Sequence, residues 1–574
     1  MKPDSTTKIT RSSDADQPSH MRRNLLKACA YLPASSLLAM IGGCSDGSDD
    51  APESNSASTF SPPPEAPPLT RSSIESAGFN LGLPPFKTTD TLPPPPVQQP
   101  LPLTGSTEVT HLPDKMPAPS GPKKVGIYSL QYNSFTQVSS RKEVPPGTEG
   151  AVTATIVVFA YPWDVTGVTK TVTYESIKTY VQRALDNRFA LLYRAMVTAF
   201  AQHSPKEFDV SFVTAPEFYW NVPFGDFLDE AELQSVADLC LETVKEKVLE
   251  LISKFPADKY GQIVLLPGTM AVLKLNPDAR KADGTPAGNG ANVFTATNRL
   301  VCTHNLPLDG KRPAYMIWPK RVVSWIDFID EEAWANSCGT GDVLELNPLD
   351  PKLDNYLHNC LISKKAKLNV LIERVSSAKP QSFDSKGTLL SSKFNNNLID
   401  GLPFGIDVCL DYGVASIQKD EYRYAQLDAQ EFLLDFVIAA GMPLDITTYA
   451  STPFIQYAIR NEGYSGKTGE TNVWKLNWTK PVGGRLGLLT YEARTPLDAD
   501  SPTDVVKGVV KVDLSDKFVA PEGADAKGIP QILDPMNAGI VRIWSLDMAS
   551  DEENKIAAAT LSKTLASEPI QFVQ

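Results

Sequence analysis

The chain lacks the cysteine and histidine spacings from which proteins build metal sites. Its seven cysteines, Cys29, Cys44, Cys240, Cys302, Cys338, Cys360 and Cys409, contain no CxxC pair. Its five histidines, His20, His111, His203, His304 and His358, are scattered, with no HExxH and no HxH. Zinc ribbons, dithiol redox motifs and histidine-bound zinc or iron need such spacings, so no metal or other cofactor is expected. Positive charge is also short: 54 Lys and Arg face 67 Asp and Glu, a net charge of −13. Binding nucleic acid requires a basic surface that displaces counterions, so nucleic acid is excluded as a partner. What remains is 42% hydrophobic and 21% charged, over 574 residues. That is the texture of a globular protein with a sizeable core, large enough for two or three domains or one with insertions.

The N-terminus reads as an address followed by a tether. Arg22, Arg23 and Lys27 precede an apolar stretch too short to span a bilayer comfortably. The run Arg22-Arg23-Asn24-Leu25-Leu26-Lys27 resembles a twin-arginine export signal, and Ile41-Gly42-Gly43-Cys44 resembles a bacterial lipobox. The expectation is an exported lipoprotein, anchored to the membrane through lipidated Cys44 and facing the periplasm or cell surface. A plain membrane anchor is the alternative. Residues 45–121 hold 17 prolines in 77 positions among Ser, Thr, Asp and Glu. Such composition cannot build a core and favours a disordered linker, with or without a spacing role.

From 122 onward strands and helices alternate. Val152–Ala160 (VTATIVVFA) is expected as a buried strand, followed by a helix over about 175–202 with apolar residues at helical spacing. A strand over Phe208–Thr214 ends at Ala215-Pro216-Glu217. A second helix starts near Asp229, a good N-cap, and carries Cys240 as inert packing. Further strands are expected at 262–266, 402–409, 434–440, 454–460, 484–491 and 505–512. This alternation gives an α/β domain with helices covering the sheets, in which reactive groups gather at strand ends.

Three strand ends carry chemistry. Glu217, followed by Phe218, Tyr219 and Trp220, is a carboxylate in an aromatic setting that raises its pKa toward the range of a general base. Lys320 follows Ile317-Trp318-Pro319 and is placed to stabilise an oxyanion or to lower a neighbouring thiol's pKa. Cys409 lies at the end of Pro403-Phe404-Gly405-Ile406-Asp407-Val408, just before a turn, with the Leu410 N–H aimed at a developing oxyanion. Taken singly, each has a plain reading: a solvated strand-end Glu, a surface Lys, a small buried hydrophobe.

Taken in order, strand-PE, aromatic-PK and strand-GxxxCxD resemble the nitrilase superfamily of carbon–nitrogen hydrolases over roughly 125–515. Leu265-Leu266-Pro267-Gly268-Thr269, Asn292–Asn298 and the strand after the cysteine agree with it. The resemblance implies an α-β-β-α sandwich over 122–515 and a cofactor-free Glu-Lys-Cys mechanism: Cys409 as nucleophile, Glu217 as base, Lys320 and Leu410 at the oxyanion, Tyr219 and Trp220 at the substrate. It also implies a second active-site glutamate, for which Glu331 and Glu332 are the candidates, and pairing of sandwiches into a homo-oligomer. The chain departs from the pattern by an insertion over about 335–395, where Cys338 and Cys360 are candidates for a disulfide, and by a C-terminal extension over 516–574, packing on the domain or forming an arm.

Leu-Asp after Cys409, where nitrile-cleaving members carry Trp-Glu, favours amide or carbamoyl substrates over nitriles. N-acyl transfer by the same residues and a catalytically silent binding lipoprotein are the alternatives. Two phosphate-loop look-alikes are set aside. Gly463-Tyr-Ser-Gly466-Lys467-Thr468 has Asn461 where the first glycine of the pattern should stand, and Gly284–Gly290 neither follows a strand nor opens a helix.

Overall fold

The structure is a computed structural model. It describes residues 124–135, 139–158, 168–281, 283–288, 290–308, 312–328, 344–345, 356–363, 366, 368–373, 379–413, 425–430, 432–444, 455–464, 468–475, 495–496, 506–536 and 539–548. The export signal, lipobox, linker, Glu331, Glu332, Cys338 and the strand expected at 484–491 lie outside these residues.

Two sheets face each other, and two long helices cover the larger one. Across the main path of that sheet the strands run Leu389–Ser391, Gln381–Phe383, Tyr315–Pro319, Val293–His304, Ile263–Pro267, Val210–Ala215, Lys124–Gln131, Ile540–Asp547 and Val506–Lys511. Lys124–Gln131, Val210–Ala215 and Ile263–Pro267 are mutually parallel. The second sheet holds Phe404–Val408, Leu434–Ala439 and Tyr457–Glu462 in parallel, extended antiparallel by Glu470–Lys475 and Thr495–Pro496. Parallel strands read as near-continuous apolar runs because both of their faces are covered.

Alternate side chains of the central strands feed two cores. Tyr128, Leu130, Val213, Ala215, Ile263 and Leu265 pack under the helices Ile177–Gln202 (α1) and Glu230–Ser253 (α2). Val125, Ile127, Val210, Phe212, Val264 and Leu266 instead meet Phe404, Ile406, Leu434, Phe436 and Ile438 of the second sheet. Phe212 anchors that contact, its ring centroid 4.8 Å from Phe436 and 5.3 Å from Phe404. The result is a helix-sheet-sheet stack of mixed α/β type. The outer face of the second sheet is buried as well, at Asp407 and Asp435.

Both helices start as their sequences dictate: Ser176 caps α1 through the Thr179 N–H, and Asp229 caps α2 through the Glu232 N–H. Cys240 is packing, its thiol pushed up to about 12 by burial. Gly463–Thr468 lies in the sequence between Tyr457–Glu462 and Glu470–Lys475, two strands that pair antiparallel.

One expected strand needs revision, one strand is new, and one alternative is decided. Ala151–Val158 is not a buried strand: it pairs only with Val168–Glu175 in a two-stranded sheet, with Thr153 and Thr155 exposed. The threonines mark a half-solvated alternation that the apolar run at 156–160 obscured. The central strand Lys124–Gln131 was missed, because Gly126, Ser129 and Gln131 interrupt its apolar pattern. Of the two readings of the C-terminal extension, packing on the domain is the one seen: Ile540–Asp547 pairs antiparallel with Lys124–Gln131 inside the main sheet. Before it, 513–536 runs over the helices. There Arg194 donates to the carbonyls of Asp513 and Ser515 and stacks on Phe518, and Lys254 donates to the Lys527 carbonyl.

Gly268 fixes the turn below Glu217. Its φ is +81°, and a Cβ there would lie 2.3 Å from the Pro216 carbonyl oxygen and 2.7 Å from Tyr219 Cβ. Gly268→Ala is expected to destabilise the fold by roughly 1–3 kcal/mol, read as a lower urea midpoint. An unchanged midpoint would contradict this packing.

Candidate active site

The C-terminal ends of parallel strands from both sheets open onto one place, where loops can hold side chains against the sandwich. Glu217 follows Val210–Ala215, Cys409 follows Phe404–Val408, and Lys320 follows the antiparallel strand Tyr315–Pro319. All three are buried, Glu217 and Lys320 fully and Cys409 to 4% exposure. Lys320 Nζ donates to Glu217 Oε1 at 2.9 Å. Cys409 lies close enough to Glu217 and Lys320 to shift the ionisation of both. Of the expected site residues, the structure thus brings Glu217, Lys320 and Cys409 together, with Leu410 next to Cys409 in the chain.

The local backbone is held in unusual conformations. Phe218 and Cys409 are the two non-glycine residues with positive φ among the described residues, at 61° and 47°. Such strain persists only where the surroundings over-determine it, and it clusters at functional sites. Cys409 N–H bonds the Ile438 carbonyl at 2.9 Å, and its thiol donates to the Ala440 carbonyl at 3.5 Å. A helical turn over 410–413 begins at Leu410. First-turn N–H groups have no acceptor within their own helix, which suits Leu410 for an oxyanion.

Sequence reasoning missed the groups that complete the site. Asp327 lies against the lysine: Lys320 Nζ is 3.0 Å from its Oδ1 and 2.9 Å from its Oδ2. Asn298 Nδ2 joins both carboxyls, 2.8 Å from Glu217 Oε1 and 2.6 Å from Asp327 Oδ1. Asp411 accepts from the Arg321 and Val322 N–H groups, tying the cysteine loop to the lysine loop. Glu462, fully buried, accepts from the Gly441, Met442 and Tyr464 N–H groups and pairs with Arg460, fixing the turn that presents the Ala440 carbonyl. The Asp of the GxxxCxD run was the available signal for Asp411. Nothing local in Ser324-Trp-Ile-Asp327 singles out the last residue.

Tyr219 and Trp220, expected at the substrate, do not face this centre. Both are fully buried in the core beneath the helices. Tyr219 donates its hydroxyl to the Arg188 carbonyl, and Trp220 donates Nε1–H to the Pro267 carbonyl. The reversal at Phe218 sends them away from the centre and leaves Phe218 itself facing it, its ring centroid 5.8 Å from Lys320 Nζ.

The electrostatics follow from one cation shared by several acids in a dry site. Desolvation pushes Glu217 up to about 8, against the pull of Lys320 and with the help of Asp327. For Lys320, burial disfavours the charge, but Asp327, Glu217 and Cys409 together hold its pKa well above the usual value. Burial drives the Cys409 thiol well up, Glu217 adds to the rise, and Lys320 opposes it. Lys320 and Asn298 hold Glu217 Oε1, and the Cys409 thiol lies within hydrogen-bonding reach of the same carboxyl. A buried carboxyl anchored through one oxygen, beside a neutral thiol, is arranged to exchange a proton.

No family model and no curated protein sequence matches the chain. Among solved structures, a carbon-nitrogen hydrolase from Helicobacter pylori G27 is similar to it, at 10% identity and a TM-score of 0.28, over 74% of this chain and 97% of that one.

Proposed function

We propose that the chain is a thiol hydrolase of non-peptide carbon–nitrogen bonds, acting on amides through a Cys409 thioester. The observation that carries this reading is the buried Glu217 carboxyl within hydrogen-bonding reach of the Cys409 thiol while Lys320 holds its Oε1 at 2.9 Å. In the proposed reaction ionised Glu217 takes the thiol proton as Sγ bonds the carbonyl carbon. The carbonyl π pair moves to oxygen, where Lys320 and the Leu410 N–H receive it. Collapse expels the amine, which takes the proton back from Glu217. Water then gives a proton to Glu217 and attacks the thioester, releasing the acid and returning the proton to Sγ. Asp327 and Asn298 act as positioning residues that keep the ammonium and Oε1 in register.

The test is ammonia release from a panel of amides, ureido acids and nitriles, with Cys409→Ala as control. Release from the native chain that disappears in Cys409→Ala supports the reading; equal release from both removes the nucleophile. Acyl transfer to an amine would appear in the same assay as hydroxamate formation with hydroxylamine. Anchoring at Cys44 in an exported lipoprotein is a separate proposal, read by metabolic labelling with a palmitate analogue and its loss in Cys44→Ala.

The acid limb of the pH profile is expected to report Glu217. Only the ionised carboxylate can take the thiol proton, so kcat/KM should rise with pH and level off above about 8. A limb in the ordinary carboxylate range, near 4.5, would remove the dry environment argued for Glu217. Stability should move the opposite way. The folded state keeps a proton that the unfolded chain has already released, so stability falls as pH rises between those two values, and Glu217→Gln should lack that fall.

A further inference from the structure

Beside the reacting groups lies a small apolar cluster separate from both main cores: buried Phe218, Ala271 and Ala440, with Phe135, Ile326 and Tyr464 partly buried against it. It is continuous with the proposed centre at three points. Ala440 supplies the carbonyl that accepts the Cys409 thiol, Phe218 lies under Lys320 Nζ, and Ile326 adjoins Asp327. From Phe218 the rings form a row toward the surface, with centroids 5.6 Å apart from Phe218 to Phe135 and 5.1 Å from Phe135 to Tyr464, all edge-to-face. The row runs from full burial at Phe218 to partial exposure at Phe135 and Tyr464. None of its members carries a charge. The charged groups next to it are already engaged: Lys320 by Glu217 and Asp327, and Glu462 by three backbone N–H groups and Arg460.

We infer that the acyl half of the substrate is uncharged and apolar, with an aryl or bulky alkyl group that packs along Phe218, Phe135 and Tyr464. The inference rests on the reaction proposed above. A carboxylate or ammonium on this side of the scissile carbonyl would lose its hydration against rings without gaining a partner. An aromatic group would instead gain edge-to-face contacts and release water. Ser134 keeps the row in place: its hydroxyl donates to the Glu217 carbonyl at 2.6 Å, and its N–H donates to the Gly463 carbonyl at 2.8 Å. The loop bearing Phe135 is thereby pinned to the loops bearing Phe218 and Tyr464.

The experiment compares 3-phenylpropanamide, acetamide and the monoamide of glutaric acid. In turnover, kcat/KM for 3-phenylpropanamide should exceed that for the other two by roughly tenfold or more. Phe135→Ala and Tyr464→Ala should each shrink the ratio of 3-phenylpropanamide to acetamide. In binding, calorimetry on full-length Cys409→Ala should show the same order of affinity without chemistry. Preference for the charged or the short amide, or a ratio that neither substitution moves, overturns the inference while leaving the reaction intact. Aryl-selective binding to Cys409→Ala with no Cys409-dependent turnover of any amide would support the subsite and overturn the reaction.

Discussion

Cys409→Ala is expected to lower amide turnover by roughly 10⁴-fold or more while leaving the chain folded. The reason is that the sulfur has a chemical role and a small structural one. Its thiol donates weakly to the Ala440 carbonyl at 3.5 Å, lies within reach of the Glu217 carboxyl, and ends a strand whose larger core side chains are Phe404, Ile406 and Val408. Losing it removes the atom that forms the thioester but costs only about 1 kcal/mol of stability, the ordinary cost of a small buried truncation. Ammonia release and the thermal midpoint, measured on the same preparation, separate the two effects. A variant that keeps turnover, or one that fails to fold, would contradict this division.

Lys320→Met carries the other large effect, and here stability and activity fall together. The ammonium is the counter-charge of two buried carboxyls, 2.9 Å from Glu217 Oε1 and 2.9 Å from Asp327 Oδ2. Taking away one partner of a buried ion pair leaves the other uncompensated, at a cost of roughly 3–5 kcal/mol. Adding Asp327→Asn to Lys320→Met removes the stranded charge, so the double variant should recover much of the lost stability. It should recover no activity, because the cation proposed to receive the oxyanion is still missing. A single variant as stable as the native chain would show that the lysine is not the hub of this cluster.

The three proposed reacting residues were legible because each ends a strand with a local pattern: Pro before Glu217, Trp-Pro before Lys320, and an apolar run before Cys409. Strand ends are dictated by short-range periodicity, and the sandwich brings them together through long-range pairing of apolar faces such as Phe212 on Phe436. What no local pattern encodes is the direction of a side chain after a reversal. Tyr219 and Trp220 follow Glu217 directly, yet the positive φ of Phe218 sends them into the helix-side core. Asp327 and Glu462 were invisible for a related reason. An acidic residue in a loop reads as solvated, and only tertiary contact with Lys320, or with the 441–442 turn, makes it part of a site. The central strand Lys124–Gln131 was hidden by Gly126, whose missing Cβ makes room for the Phe208 ring and the Ser211 hydroxyl of the adjoining segment.

Capture of the acyl group tests the central claim most directly. The protein is quenched in acid during turnover of an amide it accepts, then digested and mapped by mass spectrometry. An increment equal to the acyl group on the peptide containing Cys409, absent from Cys409→Ala, is the predicted result. An adduct on Cys240, Cys302 or any other residue, or steady turnover in Cys409→Ala, would contradict it.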